Sequence, residues 1–422
     1  MIRATATGKT PLGTLILRIY LPFAGAYFLS YLYRAVNSVV GPVIADEFAL
    51  APDQLGFLTS AYFIMFAAVQ LPLGVALDRF GPRRVQTVLM LFAAAGAVVF
   101  GLGQSLAMLT FGRALIGLGM AAGLMAALKV ITLWFPPERW PLMNGLHMTA
   151  GGLGALVATW PTKVALTYTS WHGVFFVLSG VTLASALLIW RGVPERPGSQ
   201  APGTLREQFA AVLPILRDPY FWRLVPVFTT LQCGFIGIQT LWIGPWLRDV
   251  GGQTPDRAAF TMLLTTLGMM AGFFVSGMVA VAMARRGVSH VATATCGGLL
   301  FVGNLALIIF VPGLQPEPLW MLFGFFGTFA ILYFPPLQQA FPPELSGRVT
   351  TCINFVTFAA VYFAQGGMGS ILRLWPYTPS HYYPQGYIAA FGLFIGLELA
   401  SIAWLLLFRP RPLTQRASPT VT

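Results

Sequence analysis

Apolar stretches of about 20 residues recur from one end of the chain to the other, separated by short polar segments. A helix needs about 20 mostly apolar residues to cross the hydrocarbon core of a bilayer. Of the 422 residues, 56% are hydrophobic and only 9% are charged, which excludes a soluble domain of this size. No alternation with period two runs through the stretches, and this argues against a transmembrane β-barrel. We therefore predict an all-α membrane protein.

The apolar stretches predict twelve transmembrane helices, with ends placed to within about 2–4 residues. The first stretch is not followed by a small-residue cleavage site, so we interpret it as a retained helix rather than a signal peptide. The predicted helices lie at 15–42, 54–78, 85–105, 107–134, 139–162, 171–191, 220–247, 258–284, 289–311, 317–340, 347–372 and 386–408.

The net charge of +12 follows from topology rather than from nucleic-acid binding. When the N-terminus is placed in the cytoplasm, 18 of the 25 Lys and Arg residues fall in inside segments, 4 fall outside and 3 lie within helices. This positive-inside bias predicts a multi-pass protein of the inner (plasma) membrane with both termini in the cytoplasm. The three cysteines lie within apolar helices without metal-ligand spacing, so we predict no metal site and no cofactor.

The sequence repeats itself at an offset close to 203 residues. Gly41-Pro42 recurs as Gly244-Pro245. Gly74 recurs as Gly277, and a pair of arginines follows both Gly74 and Gly277. A Phe-Pro-Pro-Glu segment at 135–138 recurs at 341–344. Three echoes in the same order indicate two six-helix halves of the same orientation, at 1–191 and 219–422, joined by a cytoplasmic linker at 192–218. Such a repeat predicts a site between the halves, near the middle of the membrane.

The loop after the second predicted helix resembles the signature loop of the major facilitator superfamily. It reads Gly-Val-Ala-Leu-Asp-Arg-Phe-Gly-Pro-Arg-Arg from Gly74 to Arg84, against Gly-x-x-x-Asp-Arg-x-Gly and basic residues in the family. Pro82 stands where the family usually has Arg or Lys. The stretch from Arg113 to Gly119 is similar to the Arg-x-x-x-Gly-x-Gly motif of the family's fourth helix. The resemblance implies two pseudo-symmetric six-helix bundles that work by alternating access.

The same resemblance implies a conformational latch at the cytoplasmic end. Asp78 among the arginines is suited to pair with Arg79 or Arg83, or to sit at the N-terminus of a helix from the other half. The alternative is that these arginines only enforce topology. Arg113 is left open between the latch and a tie between helices. The predicted latch residues are Gly74, Asp78, Arg79, Gly81, Arg83 and Arg113.

The first helix presents a polar face near mid-membrane. Arg34 lies about 24 Å along the helix from Arg18, and its planar fork of donors suits a carboxylate or a phosphate. The segment resembles the first helix of the organic phosphate antiporters and the anion:cation symporters, in which a Tyr-x-x-Arg arginine binds the anionic group. Tyr31 and Arg34 have that spacing. At 100° per residue, Tyr27, Ser30, Tyr31, Arg34, Asn37 and Ser38 share this face.

The organic phosphate antiporters have a second arginine on helix seven. In this chain the C-terminal half offers amides in its place. The repeat maps Arg34 onto Gly237, and the nearest hydrogen-bonding side chains are Gln232 and Gln239, with Trp242 beyond. This pattern favours a singly charged carboxylate over a doubly charged phosphate. The helix-four glutamate of the anion:cation symporters is replaced by Met120.

Two further titratable groups are candidates for the site. No acidic residue shares the mid-depth of the two stretches that contain Arg34 and Lys129. We predict that Lys129 lines the inward half of the path; snorkelling to the interface is the alternative. His147 is the candidate for proton coupling, with a packing role as the alternative. The glycines at 151, 152 and 154 predict close helix packing, and the absence of a Gly-Pro there disfavours drug efflux.

These observations predict a secondary active transporter of a small organic anion, a carboxylate, that works as a monomer. A nitrate-like inorganic anion transporter, a drug or cation efflux pump, and a transport-dead membrane sensor are the alternatives. The sequence contains no Walker-type phosphate loop that would indicate transport driven by ATP. It also contains no nucleophile or carboxylate pair that would indicate an enzyme. The specific solute, the direction of transport and the coupling ion stay open.

Overall fold

The computed structural model describes residues 12–194, 212–311, 313–342, 345–379, 381–410 and 412. Within these ranges ten helices are long and apolar enough to cross a membrane. One of them, Pro52–Gly101, has 50 residues and is interrupted at Gly81, so it supplies two crossings. A further crossing is assembled from two shorter helices, Trp140–Val157 and Trp160–Tyr168. The prediction of twelve transmembrane helices is therefore confirmed.

We number the crossings α1 to α12 in chain order. α1 consists of Leu12–Leu15, the π-helical Ile16–Tyr20, Leu21–Ala35 and Asn37–Glu47. α2 and α3 are 52–80 and 82–101, on either side of Gly81. α4 is Leu106–Met120 with Gly123–Trp134, α5 is the pair of shorter helices, and α6 is Trp171–Gly192.

The second set begins with α7, which consists of Pro219–Gly237, the π-helical Ile238–Trp242 and Ile243–Asp249. α8 is Pro255–Arg285, and α9 is His290–Phe310. α10 consists of Pro316–Gly327, the 3-10 helix Thr328–Tyr333 and Phe334–Gln339. α11 is Ser346–Leu372 and α12 is Pro384–Leu407. The sequence did not predict the short helix Leu213–Arg217 or the two-residue strands β1, Tyr377–Thr378, and β2, His381–Tyr382.

The connection between α2 and α3 is a single residue. Gly81 has φ 77° and ψ 157°, a backbone conformation that residues with a Cβ rarely adopt. Pro82 then occupies the first position of α3, where its missing N–H leaves no hydrogen bond unmade. The proline that departs from the family pattern is therefore compatible with a tight, two-helix corner.

The first six crossings form the N-terminal half and the last six the C-terminal half. We call the end of the bundle that carries residues 12 and 410 the termini face, and the end at Glu47 and Asp53 the opposite face. Residues 195–211 of the predicted linker lie outside the described residues. The exact boundaries 1–191, 192–218 and 219–422 therefore stay predictions.

Near the opposite face the two halves pack together through glycines. A Cβ on Gly41 of α1 would lie 3.2 Å from the Leu241 side chain of α7, and one on Gly244 of α7 would collide with the Ser38 carbonyl of α1. α2 packs on α11 in the same way, with Gly56 facing the Gln365 carbonyl. These backbone approaches seal the opposite face.

Candidate functional site

A cavity of about 150 Å³ lies between the two halves, bounded by side chains of α1, α2, α4 and α5 on one side and α7, α8, α10 and α11 on the other. Most of its wall is apolar, and four methionines line it. Its polar lining residues are Tyr27, Ser30, Tyr31, Arg34 and Gln70 from the N-terminal half, and Gln232, Gln239, Thr240, Thr328, Asn354 and Thr357 from the C-terminal half.

Arg34 provides the positive charge of the cavity. Its side chain is only 8% exposed, and Nε has no hydrogen-bond partner. The guanidinium carbon lies 4.7 Å from the ring centroid of Tyr31, 5.3 Å from that of Phe66 and 5.0 Å from that of Phe358. Within the ranges that the structure describes, no acidic side chain forms an ion pair with Arg34. The cation is therefore surrounded by aromatic rings rather than by a carboxylate.

Tyr27 and Tyr31 connect this cation to α5. The two hydroxyls lie 3.5 Å apart, and the rings meet edge to face. Behind Tyr27, the His147 ring stacks at a centroid distance of 4.2 Å. Both His147 nitrogens are buried without a hydrogen bond of standard geometry, although the Gly123 backbone lies beside the ring. His147 is not among the described lining residues, and it packs behind Tyr27, a predicted binding residue.

Glycines let α5 approach α1 this closely. A Cβ on Gly151 would lie 2.7 Å from the Tyr27 ring and 3.0 Å from the Tyr31 ring, and one on Gly154 would collide with the Phe28 carbonyl. A Cβ on Gly152 would lie 2.7 Å from Met270 of α8. The prediction of close packing at these glycines is confirmed, and it extends to the other half.

The C-terminal half presents amides and hydroxyls to the cavity. Gln239 donates to the Met269 sulfur over 3.5 Å, a weak interaction that leaves most of its capacity unused. Asn354 donates to Gln70 over 3.4 Å, and this hydrogen bond joins α11 to α2 at the cavity wall. Gln232 also lines the cavity. These groups can hydrogen-bond the uncharged part of a ligand.

Arg113 is a buried tie between helices. It donates from Nη1 to the Tyr33 carbonyl over 2.7 Å and from Nη2 to the Arg34 carbonyl over 3.4 Å. Its guanidinium carbon lies 5.0 Å from the ring centroid of Tyr62. Arg113 is fully buried and does not line the cavity. Of the two roles left open by the sequence, this geometry is that of a tie, which fixes the backbone that carries Arg34.

Lys129 is not among the described residues that line this cavity, and its predicted place along the inward half of the path stays a prediction. Its Nζ lies 2.7 Å from Oδ1 of Asp78, so it has an acidic partner in the same half. The same contact gives Asp78 a partner other than the predicted Arg79 or Arg83. The sequence analysis compared depths only within single helices, so it did not find this pair. The two residues lie on different helices that pack together near the termini face. Substrate contact by Lys129 has no support in this arrangement.

Two more predicted binding residues lie outside the cavity. Asn37 is fully buried and donates to the Thr59 hydroxyl over 3.1 Å, while its Oδ1 has no partner. Trp242 is fully buried and donates to the Gln365 carbonyl over 3.2 Å, at the packed contact of α7 with α11. Each of these hydrogen bonds joins two helices of the same half, and neither side chain is among the described residues that line the cavity.

The other predicted latch residues lie around the α2–α3 corner. The Arg79 guanidinium lies over the Phe80 ring, and that of Arg83 lies 4.8 Å from the Trp190 ring of α6, within the N-terminal half. A Cβ on Gly74 would meet no atom within 4 Å, and Gly81 makes the corner itself. A latch across the halves at these residues stays a prediction.

Sequence reasoning missed four residues around Arg34. Phe66 and Phe358 cover its guanidinium, and Phe358 comes from the other half. The Tyr62 hydroxyl donates to the Ser30 carbonyl over 3.3 Å, and Gln70 donates to the Ala121 carbonyl over 3.2 Å. Tyr62 and Gln70 could have been found from sequence, because they are polar residues in a predicted apolar helix. The two phenylalanines could not, because phenylalanine is common in such helices.

The chain matches the model of the Major Facilitator Superfamily over residues 23–366. It is 25% identical to the hexuronate transporter of Bacillus subtilis over 409 residues, which cover 92% of this chain and 93% of that protein. It is 26% identical to the D-galactonate transporter of Escherichia coli O6:H1, covering 81% and 84% of the two chains. It is 24% identical to a probable sulfoacetate transporter of Cupriavidus necator, covering 68% and 69%.

Solved structures show the same fold. A bacterial homolog of the human lysosomal transporter Spinster, in an inward-facing and occupied conformation, superposes with a TM-score of 0.78 at 17% identity, covering 98% of this chain and 100% of that chain. A D-xylose–proton symporter gives a TM-score of 0.72 at 14% identity, covering 94% and 98%. Together with the family match over most of its length, this establishes that the chain belongs to the Major Facilitator Superfamily.

Proposed function

We propose that this protein is a secondary active transporter of a small organic anion and that Arg34 binds the anionic group. The observation that carries the proposal is a buried arginine in the cavity between the halves, without an acidic partner in the described part of the chain. Ionisable groups inside a membrane protein are costly and mark substrate pathways. An anion supplies the missing counter-charge.

The charge of the lining favours one anionic group. Arg34 is the cationic side chain among the described lining residues, and its fork matches a carboxylate through two parallel hydrogen bonds. The amides of Gln232, Gln239 and Asn354 face it from the other half and suit hydroxyl or carbonyl groups. Relatives named for hexuronate, D-galactonate and sulfoacetate support an organic acid as the substrate.

The size of the cavity favours a compact acid. A cavity of about 150 Å³ can hold a molecule the size of benzene, so a short hydroxy acid such as lactate fits without rearrangement. A sugar acid is about twice as large and requires the walls to move. The four methionines that line the cavity are flexible and polarisable side chains that can accommodate such a change.

The position of the seal supports transport by alternating access. The glycine contacts of α1 with α7 close the opposite face, while the cavity lies between the halves. Rocking of the halves about the cavity would open that face and close the termini face. The distribution of Lys and Arg supports a cytoplasmic location of the termini face, and the bacterial relatives support an inner-membrane location.

A thermal-shift screen of the purified protein tests the site. The probes are L-lactate, D-glucuronate, D-galactonate, sulfoacetate and nitrate, with galactose as an uncharged control. At least one organic acid should stabilise the protein, and Arg34→Ala should weaken its binding by about 100-fold, the effect of losing a charge-assisted pair. Uptake of that acid into proteoliposomes then tests transport.

Arg257→Ala is the matched control, because this arginine is 60% exposed near the opposite face and pairs with Glu317. It should leave binding unchanged. Equal stabilisation of wild type and Arg34→Ala would show that the site is placed wrongly. Binding of nitrate alone would favour the inorganic anion, and binding without flux would favour a sensor.

A further inference from the structure

We propose that Phe358, together with Phe66 and Tyr31, forms an aromatic cage that stabilises the Arg34 guanidinium whenever no anion occupies it, and that this cage lets the unloaded carrier reorient. The inference rests on the proposed function, because it concerns the same binding site. It assigns a mode of transport: net movement of the anion, rather than obligate exchange of one anion for another.

The geometry of the cage places rings from both halves around one cation. Tyr31 of α1 and Phe66 of α2 belong to the N-terminal half, and Phe358 of α11 belongs to the C-terminal half. All three ring centroids lie within 5.3 Å of the guanidinium carbon, inside the range of cation–π attraction. Because the site is desolvated, each contact is worth more than it would be at a protein surface.

Phe358 itself packs against two aromatic rings of the N-terminal half. Its centroid lies 4.5 Å from that of Phe66 and 6.1 Å from that of Phe63, with which it is nearly parallel. The contact therefore forms only where α2 and α11 pack together. The C-terminal half thus stabilises the arginine of the N-terminal half directly, without a carboxylate.

The requirement for such a cage follows from the transport cycle. After the anion leaves, Arg34 is a charged group between two closing halves, and burial of an uncompensated charge would oppose closure. A carrier with no substitute for the anion would return only when loaded, and would exchange. The π faces supply a substitute that leaves when a carboxylate, a stronger partner, takes the guanidinium.

Two transport assays separate the loaded step from the unloaded step. Proteoliposomes are given whichever of the organic acids stabilises the protein in the screen, in labelled form. Net uptake into empty vesicles requires the unloaded return, whereas counterflow into preloaded vesicles does not. We expect Phe358→Leu to reduce net uptake about tenfold more than it reduces counterflow, the rate effect of one lost desolvated contact on the unloaded step.

Phe358→Tyr keeps the π face and should restore net uptake. Phe363→Leu is the matched control, because Phe363 lies on the same helix with 70% of its surface exposed; both assays should be unaffected. Measurable counterflow also shows that the Phe358 variants are folded.

Equal loss of net uptake and counterflow in Phe358→Leu would overturn the inference, as would unchanged net uptake. Obligate exchange by the wild-type protein would also overturn it, while leaving the proposed function intact. Absence of both activities and of anion binding in wild type would instead refute the proposed function.

Discussion

Lys129 donates from Nζ to Oδ1 of Asp78 over 2.7 Å and joins α4 to the end of α2 near the termini face. The two side chains are 28% and 39% exposed. A pair of this exposure contributes about 0–1 kcal/mol to stability. The contact nevertheless occupies the aspartate of the predicted latch, and among the described residues that line the cavity Arg34 is the cationic side chain.

Lys129→Met should therefore leave anion affinity within about twofold of wild type, because the lysine has no part in the cavity wall. It should also change stability by no more than about 1 kcal/mol. Titration of the stabilising acid by thermal shift measures both quantities, with Arg34→Ala as the variant that loses binding. A loss of affinity in Lys129→Met comparable to that in Arg34→Ala would restore the lysine to the binding site.

Arg113→Gln should destabilise the protein by roughly 2–4 kcal/mol. The change removes two charge-assisted hydrogen bonds to the carbonyls of Tyr33 and Arg34 in a fully buried place. A fall in the melting temperature, measured in detergent, checks this expectation. Arg257→Gln, a surface change, should shift it little. A fully stable Arg113→Gln that lacked only anion binding would mean that Arg113 contacts the substrate.

Gly244→Ala should open the seal on the opposite face. The added Cβ would collide with the Ser38 carbonyl, so α7 must move away from α1. A cysteine at Thr240, which lines the cavity, reports the opening in a background in which the three native cysteines are replaced by alanine. Its labelling by an impermeant thiol reagent from the opposite face should rise several-fold. Gly277→Ala is the control, because a Cβ there would meet no atom within 4 Å.

If labelling in Gly244→Ala stayed at the level of Gly277→Ala, the glycine contact would not be the seal. Equal labelling of both variants above the parent would point to general loosening of the bundle.

His147→Phe should retain stability and most of the transport activity at any pH gradient. The substitution keeps the ring that stacks on Tyr27 and removes only nitrogens that make no hydrogen bond of standard geometry. Uptake with and without an imposed pH gradient measures the effect. Selective loss of the component driven by the pH gradient would instead identify His147 as the site of proton coupling.

The fold could be predicted from sequence because the thickness of the bilayer sets the length of each transmembrane helix. Apolar length located twelve crossings, and most predicted ends lie within a few residues of the observed ones. The largest differences are at the end of α1, predicted at 42 and observed at Glu47, and at the end of α5, predicted at 162 and observed at Tyr168. The sequence also did not predict two departures from regular helix. Gly81 turns α2 into α3 within one residue, and α5 breaks between Val157 and Trp160.

The site was less predictable, because the angular argument assumes 100° per residue. That assumption holds from Tyr27 to Arg34, which share the cavity as predicted. It fails at Asn37, which donates to Thr59 of α2 within the same half. Trp242, predicted only from its place beyond Gln239, is buried against α11 instead. Phe358 could not be found at all, since its role depends on which helices pack across the two halves.

The four residues that seal the opposite face are related by the internal repeat. Adding 203 to Ser38 gives Leu241, and adding 203 to Gly41 gives Gly244, while the observed contacts join Gly41 to Leu241 and Gly244 to Ser38. The arrangement is isologous, the kind found where two identical subunits meet on a two-fold axis. In a dimer of six-helix chains a single glycine would make both contacts, whereas this fused chain must keep two.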